Sequence, residues 1–221
     1  MKNILVLCDD LWHPAEVIQK GIAPLEGDAY HFDFVMAAKD ILTPDLIREY
    51  PLVICCKGNQ VISANPAPWF ENTVTEVMGK EFRDYVEEGG GFMSVHAGNV
   101  FMGDGDGVQE YRDFVGNRFV NHPLRCEVIM EKCKDHPIMD GVARCFELRD
   151  EHYAITDIAG DADIFLRSSS QKGGVQAAGY TRTLGEGRLC VLTPGHVLSV
   201  WKNPEFRKIF VNAIEWCTKG K

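Results

Sequence analysis

The chain has 221 residues, 45% hydrophobic and 25% charged, enough apolar material to bury a core and too much for bulk disorder. A formal net charge of −9, with no Lys/Arg run to offset it, argues against a nucleic-acid partner. No stretch approaches the roughly 18 consecutive apolar residues of a membrane span, and the apolar run at 4–7 meets Asp9 and Asp10 too soon for a secretory leader. Eight scattered cysteines form no C-x-x-C pair, and Cys55, Cys56 and Cys190 lie in apolar runs. That is the usage of a reduced, cytoplasmic protein with buried thiols.

The continuous apolar run 4–7 predicts a strand covered on both faces. Pro14 opens a helix carrying Ala15, Ile18 and Ile22, and 32–36 reads as the second strand. Thr43-Pro44 is an N-cap with a first-turn proline, 52–56 is a third buried strand, and 59–69, with two prolines, is a loop. Met78, Phe82, Tyr85 and Val86 share one helix face that stops at Gly89-Gly90-Gly91, and 92–95 is the next strand. Val108, Tyr111, Val115 and Phe119 form another helical stripe. Leu124, Cys126, Val128 and Met130 alternate like a strand with one open face. Shorter strands are expected at 145–148, 164–167, 175–180 and 189–192, with a hairpin turn at Gly185-Glu186-Gly187. Asn203-Pro204-Glu205 caps a last helix with Phe206, Ile209, Phe210 and Ala213 inward. The β-α-β alternation predicts one α/β domain over 1–221, a three-layer sandwich with a mostly parallel central sheet that turns mixed in its second half.

In such sheets ligands bind beyond the carboxyl ends of the strands. Asp9, Asp10 and His13 follow the first strand, and Lys57, Gly58 and Asn59 the third. Ser94 closes the fourth, and His96 comes just after it. Asp150, Glu151 and His152 follow the run 145–148, while Thr193, Gly195 and His196 follow the strand before the last helix. Three histidines and a carboxylate can therefore gather at one sheet edge. The sharpest feature is Gly89-Gly90-Gly91-Phe92-Met93-Ser94-Val95-His96-Ala97-Gly98, a buried strand ending in a histidine and small residues that allow a sharp turn. Gly103-Asp104-Gly105-Asp106-Gly107 has part of a calcium loop but lacks its later ligands, and a turn is the better reading. His122 and His136 each precede proline and read as structural.

Several blocks carry a family resemblance. They are the Gly-Gly-Gly strand ending in His96-Ala97, residues 114–119 followed by His122-Pro123, His136-Pro137-Ile138-Met139-Asp140-Gly141, Asp150-Glu151-His152-Tyr153, Tyr180-Thr181-Arg182 with Gly185-Glu186-Gly187-Arg188, and Gly195-His196 with Trp201 and Asn203-Pro204-Glu205-Phe206. In this order, over nearly the whole chain, they resemble the ThuA-like family, named for trehalose utilisation. The resemblance implies the class I glutamine amidotransferase-like, flavodoxin-like fold. Amidotransferases of that fold have a cysteine at the turn after a central strand; His96 stands at about that turn, and His196 resembles the retained partner histidine. Imidazole does not replace a thiolate in amide hydrolysis, so no glutaminase activity is expected. His13 is similar to a family histidine near the N-terminus, whereas Lys57-Gly58-Asn59 departs from relatives that carry histidine after the third strand.

The resemblance implies an enzyme of carbohydrate metabolism, acting on trehalose or a related sugar or keto-sugar, with a small sugar-like ligand and no nucleic-acid or membrane partner. A homo-oligomer is left open. The alternative is a non-catalytic small-molecule-binding or regulatory protein on a degenerate amidotransferase scaffold. His96, Glu151 and His196 are the expected catalytic residues, with His13 and Asn59 at the pocket wall and Tyr180 and Trp201 as candidate sugar-stacking rings. Two chemistries fit. In one, a histidine moves a proton and Glu151 orients it. In the other, His13, His96, His196 and Glu151 hold a divalent metal such as zinc. Against both stands a bland arrangement in which each histidine satisfies a separate loop carbonyl.

Overall fold

The computed structural model describes residues 1–36, 41–59 and 76–219. In chain order the strands and α-helices are β1 (Lys2–Leu7), α1 (Ala15–Ile22), β2 (Tyr30–Val35), α2 (Pro44–Arg48), β3 (Leu52–Cys55), α3 (Gly79–Glu87), β4 (Gly91–Val95), α4 (Asp106–Val115), β5 (Arg118–Asn121), β6 (Cys126–Lys132), β7 (Cys145–Asp150), β8 (Ala154–Thr156), β9 (Asp163–Ser170), β10 (Gly174–Leu184), β11 (Gly187–Leu192), α5 (Leu198–Lys202) and α6 (Pro204–Cys217). Most of the expected loop 59–69 lies outside the described residues.

Among the described residues nine strands form one sheet in the order β2-β1-β3-β4-β11-β10-β9-β6-β7, and β5 pairs with β8 in a separate ribbon. The pairs from β2 to β11 are parallel. The pairs from β11 to β7 are antiparallel. The parallel half accounts for the continuous apolar runs. Successive side chains point to opposite faces, so Ile4 and Val6 join one core while Leu5 and Leu7 join the other. The first core holds Ile18, Phe206 and Phe210 of α1 and α6, and the second holds Phe82, Tyr111 and Phe114 of α3 and α4. With both faces covered, the inner strands are apolar at nearly every position, and the buried Ser94 of β4 is satisfied by a hydrogen bond to Asn99.

In β6, Val128 and Met130 are buried while Glu127, Ile129 and Glu131 are exposed, as the alternation predicts. Local stops follow the expected chemistry. The Thr43 side chain accepts from Leu46 N at 3.1 Å. Asn203 Oδ1 accepts from Glu205 N and Phe206 N at 2.9 and 3.2 Å. The stripe that included Phe119 is corrected: α4 ends at Gly116, whose φ of +77° takes the left-handed conformation glycine tolerates, and Phe119 belongs to β5. The Gly103–Gly107 stretch contains a turn from which α4 starts at Asp106. Among the described residues no helix is long and apolar enough to cross a membrane.

Phe92 is fully buried, with ring centroids 5.0 Å from Phe82 and 4.9 Å from Phe114. Truncating it leaves a cavity between sheet and helices. Phe92→Ala is expected to lower stability by roughly 3–5 kcal/mol, measured by urea unfolding.

Candidate functional site

The parallel strands deliver their following loops to one end of the sheet, and the chemistry collects there. His13, His96, Glu151 and His196 each present a ligand-type atom, and these four atoms lie within 4.8 Å of one another. The ring centroids of His13 are 5.0 Å from His96 and 5.2 Å from His196, and the last two are 5.4 Å apart. The bland arrangement, one separate carbonyl per histidine, holds only in part, for His96.

Each side chain is oriented by a partner behind it. Asp10 is buried, and its Oδ1 accepts from His13 Nδ1 at 2.7 Å and from the backbone N of Trp12 and His13, both at 2.9 Å. Its Oδ2 accepts from Gly58 N at 2.8 Å, tying the loop after β1 to the loop after β3. Burial alone raises the Asp10 carboxyl, but the His13 and backbone hydrogen bonds outweigh it and hold the group below its ordinary value. A carboxylate on Nδ1 leaves Nε2 of His13 as the lone-pair nitrogen, and the Tyr153 hydroxyl stands 3.3 Å from it.

His96 sits at the turn after β4 with φ +47°, a left-handed conformation rare for a side chain of this size. Its Nδ1 donates to Thr193 O at 2.8 Å, because a carbonyl can only accept, and that fixes the proton on Nδ1 and the lone pair on Nε2. The turn is so tight that a Cβ on Gly98 would come 2.2 Å from Cys55 O, which explains the small residues after His96. Asn99 donates to His96 O at 3.1 Å and Leu192 O at 3.2 Å and clamps the turn. The Tyr153 ring stacks on His96 with centroids 4.0 Å apart.

His196 follows β11 on a loop held by Asp150, whose carboxylate accepts from Gly195 N at 2.7 Å and His196 N at 3.1 Å. Burial pushes Asp150 up to about 6 in spite of those bonds. Glu151 Oε2 lies 3.2 Å from His196 Nδ1, 3.5 Å from His96 Nε2 and 3.6 Å from His122 Nε2. His96 Nε2 and His196 Nδ1 are buried, and Glu151 Oε2 is the polar atom that faces both, although neither contact has hydrogen-bond geometry. Burial pushes both imidazoles down to about 4, so they are neutral near pH 7. Burial raises Glu151, but its three histidine neighbours outweigh that and keep it below the ordinary carboxylate range.

Other expected site residues do not join the cluster. Trp201 and Tyr180 are buried at 2% and 0% exposure and cannot stack on a sugar arriving from solvent. The Trp201 indole donates to Gly195 O at 2.8 Å and packs on Phe206 and Phe210, because the apolar residues of α5 and α6 cover this side of the sheet. The Tyr180 hydroxyl donates to Val115 O at 2.8 Å. Asn59 is also corrected as a wall residue: its amide bonds the backbone of Met102 in both directions, at 2.7 and 2.8 Å. His136 packs against Phe165 and Trp216, in the structural role expected of it. His122 is different, since it reaches Glu151 rather than serving only its own loop. The Asp10–His13 and Glu151–Tyr153 spacings were the available signals for Asp10 and Tyr153, and only the fold shows where they point.

A neutral buried imidazole makes acid stability a readout of this geometry. Unfolded, His96 takes up a proton below its ordinary value of 6.5; folded, it resists until about 4, so folding stability is lost as pH falls through that window. For His96 alone the loss is on the order of 3 kcal/mol. Urea unfolding of metal-free protein is expected to show the stability gap between wild type and His96→Gln narrowing by about 2–3 kcal/mol from pH 7 to pH 4. A gap that is flat with pH would contradict a buried neutral ring.

A family model described as trehalose utilisation, ThuA, matches residues 4–217. Among solved structures, a ThuA-like protein from Bacteroides uniformis superposes with a TM-score of 0.73 at 19% identity, covering 98% of this chain and 91% of the other. A ThuA-like protein from Parabacteroides merdae gives 0.67 at 14% identity, covering 100% and 91%. A protein described as a GMP synthase subunit from Thermoplasma acidophilum gives 0.60 at 12% identity, covering 98% and 94%. At these identities the likeness is one of fold. No curated protein sequence matches the chain. The family match runs through every strand and helix that brings the three histidines and Glu151 together, and the chain belongs to the ThuA family.

Proposed function

We propose that the protein is a metal-dependent enzyme of carbohydrate utilisation in which His13, His96, Glu151 and His196 hold a divalent ion of the zinc type. The observation that carries this reading is the convergence of three imidazoles and a carboxylate whose four ligand-type atoms lie within 4.8 Å of one another. Three imidazoles and one carboxylate are a donor set that suits zinc. Asp10 on His13 and the Thr193 carbonyl on His96 supply the outer hydrogen bonds that orient metal-binding imidazoles.

Such an ion supplies Lewis-acid chemistry, polarising a carbonyl or a bound water. The chain's own contribution is positional. The left-handed turn at His96 and the Asp150 clamp on the His196 loop keep two lone-pair rings at a fixed separation. Glu151 carries the negative charge of the site, and Tyr153 closes it against His96 and His13. Proton transfer by His96 or His196 is the weaker reading, since rings pushed down to about 4 are poorly matched to a general base at neutral pH. The carbohydrate assignment rests on the family's description.

Protein purified without a histidine tag and dialysed against zinc is expected to retain about one equivalent by elemental analysis, and His96→Ala and His196→Ala to retain less than about a fifth of that. Wild-type protein that retains no metal would refute the assignment.

Glutaminase activity is expected to be absent. The strand-turn position is His96, and burial raises the thiols of Cys8, Cys55 and Cys56, the first to about 12, so none of them supplies a thiolate. Ammonia release from glutamine tests this directly; release abolished by a single cysteine-to-serine change would overturn it.

A further inference from the structure

The space beside the imidazoles is too small for a sugar. The cavity lined by His13, His96 and His196 and closed by Val17, Ile18 and Cys56 measures about 10 Å³, room for roughly one water. A substrate must therefore lie outside the ring cluster and reach it through an opening. Of the three histidines around Glu151 Oε2, His122 is the most exposed, with 33% of its side chain open to solvent against 19% for His196 and 3% for His96.

A cleft of about 430 Å³ begins there, within the usual range for small-molecule sites. Asn121, His122, Lys172 and Gln176 line it with polar groups, and Pro123 and Ala154 give it a small apolar wall. His122 Nδ1 donates to Pro123 O at 3.0 Å, which turns Nε2 toward Glu151 and makes this ring the link between cleft and cluster. The far wall is rigid. His152 is held between Ser170 Oγ at 2.7 Å and Ser168 Oγ at 2.9 Å, and a Cβ on Gly173 would lie 2.3 Å from the same ring.

We propose that this cleft is the subsite for the body of a hydroxyl-rich small molecule, a sugar or sugar acid, with Asn121, Lys172 and Gln176 bonding its hydroxyls and His122 beside its reacting end. The inference rests on the metal-enzyme reading for what happens at that end, but the cleft itself is made by protein groups alone. The Asn121 amide both donates and accepts, as hydroxyls do; the Gln176 amide nitrogen donates to Gly173 O at 2.8 Å, which leaves its oxygen to accept, and the Lys172 ammonium adds donors only. In a chain of net charge −9, no Asp or Glu among the described residues lines this cleft, so neither a neutral nor an acidic sugar meets a carboxylate there.

The test is ligand-observed NMR with glucose, trehalose and gluconate as probes, on zinc-loaded and metal-free protein. At least one probe is expected to bind wild type with a measurable Kd in both forms. A Lys172→Ala/Gln176→Ala double variant is expected to weaken it at least about fivefold, while far-UV circular dichroism, zinc stoichiometry and the behaviour of a distant Lys80→Ala control stay unchanged. Absence of binding by all three probes, or unchanged affinity in the double variant, overturns the subsite. Wild-type protein that takes up no zinc but still binds a probe through Lys172 and Gln176 sinks the metal reading and leaves the subsite standing.

Discussion

The site depends on desolvation. Three imidazoles and a carboxylate brought together in water would repel, reorient or protonate. Here they are held at the buried end of the sheet, where burial lowers His96 and His196 and the histidines in turn hold Glu151 below its ordinary value. His96 and His196 are kept neutral, and the hydrogen bond to Thr193 O directs the Nε2 lone pair of His96 inward. Desolvating three imidazoles around one carboxylate oxygen is costly, and a ligand bound among them can offset that cost. The rest of the fold bears that cost through two continuous hydrophobic cores on either side of the sheet.

Each ligand-bearing loop is secured by a different device, because each leaves a different strand. His13 is held by Asp10, whose second oxygen also fastens the loop after β3. His96 is forced into a left-handed turn, with its ring tied to Thr193 and its carbonyl to Asn99. His196 rides on a loop fixed by the buried Asp150, the residue just before Glu151. Asp150 and Glu151 are thus adjacent in the chain and divided in task, one facing backbone amides and the other the histidines. Their environments separate them, Asp150 being pushed up to about 6 and Glu151 held down by its neighbours.

The antiparallel half of the sheet supplies what a parallel sheet alone could not. β7 carries Glu151 just past its end, and the ribbon of β5 and β8 places His122 and Tyr153 over the histidines. The turn between β9 and β10 adds Lys172 and forms the outer wall of the cleft. Chemistry is therefore concentrated where two architectures meet: parallel strands fix the histidines, and antiparallel additions close the site and shape its mouth.

The sequence alone determined the inner strands, most of the strand-helix order and the residues that follow the inner strands, but not the β5–β8 ribbon or α5. Apolar runs, caps and glycines are local signals, and position after a strand is enough to name His13, His96 and His196 at the parallel strands and Glu151 after a later one. It could not determine direction or depth. Tyr180 and Trp201 look the same in sequence whether a ring faces a ligand or the core, and only packing against Val115, Phe206 and Phe210 buries them. Asn59 is well placed in sequence, yet its amide is taken up by Met102, a partner more than forty residues away. His122, read as structural from the proline that follows it, stands at the mouth because a short antiparallel ribbon folds it back over Glu151. Contacts of that kind join residues far apart along the chain through side-chain orientation, and no local pattern encodes them; they exist only once the sheet has formed.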